Sequence, residues 1–152
     1  MRNGDGKYTW SSGEVYSGKW EDDSMSGEGI LTAADGTVYT ATFTDNHIEG
    51  EATIKYSNND EYTGEIKNNL KSGTGVYVWE NGEFYTGNWS NDVMSGEGIY
   101  YYSSNTEGSR LIGEFKNGKP SGVLVYYDET GTPYLTTWNS TGCVSVEEYD
   151  GR

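Results

Sequence analysis

The side chains that most often carry chemistry are few in this chain. It holds one histidine, His47, in the run Asp45-Asn46-His47, and one cysteine, Cys143. A zinc-type centre draws on three or four His, Cys or carboxylate ligands, and these two lie far apart in sequence. A Ser-His-Asp triad needs more than a histidine, and no nucleophile elbow accompanies this one. His47 therefore reads as a solvated turn residue, and a lone Cys143 allows no internal disulfide. With 24 carboxylates in the chain, chance pairs are inevitable and none specifies glycosidase-type acid–base work. Glu14, Glu61 and Glu83 recur beside turns and read as solvated hairpin ends. The run Glu21-Asp22-Asp23 lacks the ligand spacing of a calcium loop. Gly4-Asp5-Gly6 and Gly96-Glu97-Gly98 place acids where a phosphate would sit, with no following lysine. The expectation is no catalytic residue, no metal and no cofactor. What is left is binding.

The elements that would present a binding surface are repeats. Gly4, Gly27, Gly50, Gly73 and Gly96 are spaced by 23 residues, and Gly122 follows after a short insertion near residues 104–107. A cassette of residue types travels with them. The first copy reads Gly4-Asp5-Gly6-Lys7-Tyr8-Thr9-Trp10, then Gly13, then Tyr16-Ser17-Gly18-Lys19-Trp20. The fourth reads Gly73-Thr74-Gly75-Val76-Tyr77-Val78-Trp79, then Gly82, then Tyr85-Thr86-Gly87-Asn88-Trp89. Within a cassette the apolar period is two, which marks half-buried antiparallel strands. Gly13, Gly36 and Gly82, with Asn59 at the same place, supply positive φ for a hairpin turn. Each cassette is thus one β-hairpin, and segments 21–26, 45–49 and 68–72 read as the turns between hairpins. Gly18, Gly64, Gly87 and Gly113 fall on the aromatic face, where a bare backbone leaves room for a large ring from a neighbouring strand.

The pattern Gly-x-Gly-x-Tyr-x-Trp-x-x-Gly-x-x-Tyr-x-Gly-x-Trp resembles the MORN (membrane occupation and recognition nexus) repeat over about residues 4–142. The resemblance implies an all-β fold: an elongated, twisted antiparallel sheet of about six tandem hairpins, single-layered and solenoid-like. Twelve strands at ~4.8 Å spacing span on the order of 55–60 Å. Residues 1–142 form the repeat domain in this reading, and residues 143–152 a C-terminal tail or cap. The resemblance also implies a scaffold for protein or lipid contacts. Family members with a methyltransferase or lipid-kinase domain carry it outside the repeats, and the repeats here use up the chain.

Composition narrows the partner. The formal charge is −14, which repels nucleic acid and anionic membrane and attracts a basic protein surface. The same charge serves solubility in a sheet with open edges. No transmembrane run or signal peptide is visible, so the expected location is cytoplasmic, and whether the chain is whole or part of a longer one stays open. All five tryptophans, Trp10, Trp20, Trp79, Trp89 and Trp138, fall on one inferred inner face, giving a core that is a thin aromatic stripe. The outer face changes along the chain, from Thr9, Ser17, Lys19, Thr40 and Thr42 to Tyr101, Ile112, Val125, Tyr127 and Leu135. These last five, with the acidic run Glu21, Asp22 and Asp23, are the candidate binding residues. The apolar outer patch needs a cover: a partner protein, a second copy of the chain, or the tail of residues 143–149 folded back. Three functions fit: a non-enzymatic protein-binding scaffold, an acidic mimic that blocks a basic nucleic-acid-binding surface, and a membrane-associated lipid-binding scaffold.

Overall fold

The computed structural model describes residues 3–149. Successive strands follow the repeat: β1 (Gly4–Thr9), β2 (Val15–Glu21), β3 (Ser24–Thr32), β4 (Val38–Thr44), β5 (His47–Lys55), β6 (Glu61–Lys67) and β7 (Leu70–Val78). They continue as β8 (Phe84–Ser90), β9 (Val93–Tyr101), β10 (Arg110–Lys116), β11 (Lys119–Pro120), β12 (Gly122–Tyr127), β13 (Pro133–Asn139) and β14 (Gly142–Glu148). All belong to one antiparallel sheet in sequence order, with the two-residue β11 pairing only β10. The accessible surface, 8934 Å² for 16.8 kDa, exceeds the roughly 7,700 Å² expected of a compact chain this size. A single layer has that cost: much of the second face stays in water.

Two kinds of turn alternate along the two long edges. At one edge, five-residue loops close as expected, with Gly13, Gly36 and Gly82 at φ 100°, 97° and 94° and Asn59 at 74°. At the other, the connections are shorter than segments 21–26, 45–49 and 68–72. They are two-residue turns at Asp22-Asp23, Asp45-Asn46, Asn68-Asn69 and Asn91-Asp92, every residue at positive φ between 47° and 72°. Two left-handed residues in a row define the hairpin turn whose twist matches the strands, and Asp and Asn tolerate that region best after glycine. Each turn also docks on the one before. The side-chain Oδ1 of Asn46 accepts from the Met25 N–H at 2.8 Å, that of Asn69 from Ile48 at 2.8 Å and that of Asp92 from Lys71 at 2.7 Å.

The glycines spaced by 23 do not sit at the hairpin junctions. They lie inside strands, where the register slips: Gly18 pairs Gly29, yet Trp20 pairs Met25. Gly27 occupies that bulge at φ 89°, and Gly50, Gly73 and Gly96 repeat it at 84°, 64° and 96°. A bulge needs one residue out of the extended region and sharpens the local twist.

The core is a stripe on one face. Tyr16, Tyr62 and Tyr85 are fully buried, with Trp20, Trp89, Phe43 and Phe115 beside them. Each tyrosine ring lies flat on a pair of glycines: a Cβ added to Gly87 would stand 2.8 Å from the Tyr85 hydroxyl and 2.5 Å from the Gly98 Cα. The ring comes from the glycine's own strand, two residues earlier, not from a neighbouring strand. Its hydroxyl donates to the backbone carbonyl three residues on, Lys19, Glu65 or Asn88, at 2.9–3.0 Å. The indoles meet the rings edge-on, Tyr16–Trp20 at 5.1 Å and Tyr85–Trp89 at 5.3 Å.

The boundary expected at residue 142/143 falls within a strand. Residues 142–148 form β14, in register with β13 from Asn139↔Gly142 to Tyr134↔Glu148. An edge strand with unsatisfied backbone groups recruits the next extended segment. The tail therefore lengthens the sheet and does not fold over its outer face. Residues 150–152 lie outside the described residues.

Candidate binding faces

Antiparallel pairing lines up one residue per strand into rows across the sheet. On the outer face one row runs Ser17, Ile30, Thr40, Thr53, Thr63, Val76, Thr86, Ile99, Ile112, Val125, Leu135 and Glu147. Threonine dominates the middle, aliphatics follow from Ile99, and Glu147 on the last strand ends the run. The neighbouring row carries Phe84, Tyr101, Arg110 and Tyr127 over the same strands. Phe84 and Tyr101 stack at 4.3 Å, and the Arg110 guanidinium lies 4.4 Å from the Tyr127 ring centroid. The five outer candidates, Tyr101, Ile112, Val125, Tyr127 and Leu135, thus share one face. The insertion leaves their parity intact because it is absorbed in the loop before Arg110.

The acidic run stands elsewhere. Glu21 ends β2, and Asp22 and Asp23 are its turn, eight strand positions from β10, roughly 38 Å at ordinary strand spacing. A different acidic row adjoins the apolar one. Glu51 pairs opposite Glu65, and Glu97 opposite Glu114. Like charges directly opposite are unfavourable. His47 is exposed at the start of β5, its Nδ1 2.8 Å from the Asp45 carbonyl oxygen.

On the inner face the structure shows a site that the sequence reading missed. The Lys71 side chain is 13% exposed. Its ammonium sits 5.5–5.7 Å from the centroids of Tyr56, Tyr62, Tyr77 and Trp89. Nζ donates to the Tyr56 hydroxyl at 3.3 Å and lies 3.5 Å from Asp92 Oδ1. Four ring faces and one carboxylate form a cage for a cation. Tyr77 donates at 2.6 Å to the buried Asp60, whose other oxygen takes the Glu80 N–H at 2.9 Å. Burial, with Asp92 and Asp60 nearby, pushes the Tyr56 phenol up to about 12. Burial does the same for Tyr85, to about 12. The available signal was a charge at an apolar repeat position: Lys71 stands where Met25, Ile48 and Met94 stand.

At the C-terminal end of this face lies a cavity of about 430 Å³, lined by Tyr102, Tyr126, Asp128, Tyr134, Trp138 and Val146 among others. Hydrogen bonds from the Thr130 side chain and from the Thr132 and Thr130 amides hold the Asp128 carboxyl below the usual carboxylate range. Among the described residues, no group of three or more His, Cys, Asp or Glu is placed to hold a metal, and no helix is long and apolar enough to cross a membrane.

The family profile described as MORN repeat matches residues 1–15, 16–38, 62–84, 85–107 and 112–132. No curated protein matches the sequence at a significant level. The longest stretch the profile passes over, residues 39–61, is where alanines replace the glycine pair, Ala41 opposite Ala52. Elsewhere the tyrosine-on-glycine packing and the bulge glycines recur in phase over most of the chain, and this chain belongs to the MORN-repeat family.

Proposed function

We propose that this repeat scaffold is non-enzymatic and binds another protein through the outer face of its C-terminal third. One observation carries the reading. The outer row turns from threonine to Ile99, Ile112, Val125 and Leu135, and β14 ends beside that row without covering it. Contiguous apolar surface on a sheet with an otherwise polar face marks an interaction site. The glutamates of the adjacent row select a partner whose apolar contact is flanked by lysine or arginine. The same row favours, as a second reading, an acidic mimic that occupies a basic nucleic-acid-binding surface. The two differ in salt dependence. Affinity held by the apolar row changes little between low and high salt, whereas a mimic loses affinity steeply. An anionic lipid surface is disfavoured by the same charge.

The test is a double variant, Ile112→Lys with Val125→Lys, compared with the unaltered protein in a salt-graded capture experiment from the native source. The reading expects an unchanged far-UV CD spectrum and loss of the partner. Retention of the partner by the folded variant rejects the outer face as the site. Sedimentation equilibrium of the same pair decides whether the partner is a second copy of the chain.

A further inference from the structure

The C-terminal cavity is a second copy of the lysine cage. Stepping two repeats along from Tyr56, Tyr62, Tyr77 and Trp89, and allowing for the three-residue insertion, gives Tyr102, Leu111, Tyr126 and Trp138. Lys71 itself maps to Pro120, and the pairings agree: Ile66↔Lys71 in the first case, Phe115↔Pro120 in the second. Three of four rings are kept and line the cavity, Leu111 replaces the fourth and is buried, and the lysine is gone.

The reason the copy stands open is local. Where Tyr85 lies on the pair Gly87 and Gly98, the corresponding pair beside Tyr134 is Thr136 opposite Val146, and both line the cavity. Side chains there bar Tyr134 from lying on the sheet as Tyr62 and Tyr85 do. Its hydroxyl reaches Asp128 Oδ2 at 3.3 Å instead of a backbone carbonyl. The Thr136 hydroxyl fills the gap, donating to the Leu124 carbonyl at 2.8 Å and accepting from the Trp138 indole at 2.7 Å. In the closed copy the Trp89 indole bonds the Gly75 carbonyl directly at 3.1 Å. Asp128 stands at the repeat position held by Tyr56, Trp79 and Tyr102, so a carboxylate replaces a ring at the rim.

We propose that this cavity receives the alkylammonium end of a lysine side chain, free or methylated, projected from a partner protein. The chemistry is that of the closed cage: ring faces attract the cation, and a carboxylate balances it. Lys71 shows that this sheet accommodates an ammonium among such rings, and the open copy supplies the rings and the acid without a lysine of its own. The site lies on the face opposite the apolar outer patch and does not depend on it.

The experiment is an NMR titration of the full chain, followed at the Trp138 indole N–H. Three probes are compared: the Nα-acetyl methylamides of lysine, trimethyllysine and Nε-acetyllysine. The two charged probes shift the resonance saturably, and neutral acetyllysine binds at least ~10-fold more weakly. Asp128→Asn weakens the charged probes and leaves acetyllysine unchanged, since asparagine can still accept the turn's N–H bonds. Tyr126→Ala, which removes a lining ring and keeps the reporter, abolishes binding. Should that variant unfold, Cys143→Lys serves instead: Cys143 lines the cavity and pairs Trp138 as Lys71 pairs Ile66, so a lysine there occupies the cage and excludes the probes. Thr63→Lys, exposed on the other face, leaves every titration as it was. Acetyllysine binding as tightly as the charged probes, or no saturable shift with any of them, overturns the proposal.

Discussion

The fourth hairpin and the last one start from the same cassette and end differently. In the fourth, Tyr85 lies on Gly87 and Gly98, is fully buried, and seals the sheet against Trp89 and Phe115. In the last, Tyr134 has Thr136 and Val146 where those glycines would be, stays half-exposed, and borders a cavity. The same ring type at the same repeat position is structural in one place and surface in the other. What decides is the pair of side chains beneath it. A repeat protein can therefore turn scaffold into site without a new motif, by filling the clearance its aromatic rings require.

Ways to break this contrast begin with the glycines. Gly75→Val puts its Cβ against the Tyr62 ring, 2.5 Å from Cζ as the ring now stands. With no rotamer able to relieve it, the loss should be about 3 kcal/mol or more in urea unfolding. Alkali is the next lever. Tyr56 and Tyr85 hold their protons to about 12 in the folded chain against 10.0 when exposed. A raised folded pKa means stability is intact below pH 10 and falls as pH rises toward 12, because only the unfolded chain ionises there. A CD melt series across that window should show the decline, with buried tyrosines ionising only as the sheet opens. Thr136→Val probes the open copy: it removes the hydroxyl that joins the Leu124 carbonyl to the Trp138 indole. The cost is about 1–2 kcal/mol, read as extra hydrogen exchange confined to β12–β14. Lys71→Met is the mildest. Methionine occupies that repeat position at Met25 and Met94, so stability should stay within about 1 kcal/mol, as chemical denaturation will show.

The repeat and the strand faces were legible because both are local. A period of two and a period of 23 need no knowledge of what a residue touches. The outer candidates followed from parity alone, and the structure places Ile112, Val125 and Leu135 in one row. The bulge was not legible: Gly27 marks the repeat equally well at a junction or within a strand, and only cross-strand pairing shows which. The width of the turns was underread for a related reason, since Asp22-Asp23 reads as acid before it reads as left-handed backbone. The tail read as a cap because the cassette ends before it, whereas an open strand edge accepts any extended segment. Least legible were the cages. Lys71 meets Trp89, and Thr136 meets Val146, only through register, across 18 and 10 residues of chain.

The claim that the underlying pair decides the role of the ring is tested most directly by two matched truncations, Tyr85→Ala and Tyr134→Ala, in one equilibrium unfolding series. The account predicts a loss of about 3–5 kcal/mol for the first and under about 1 kcal/mol for the second. Equal losses at the two positions would contradict it.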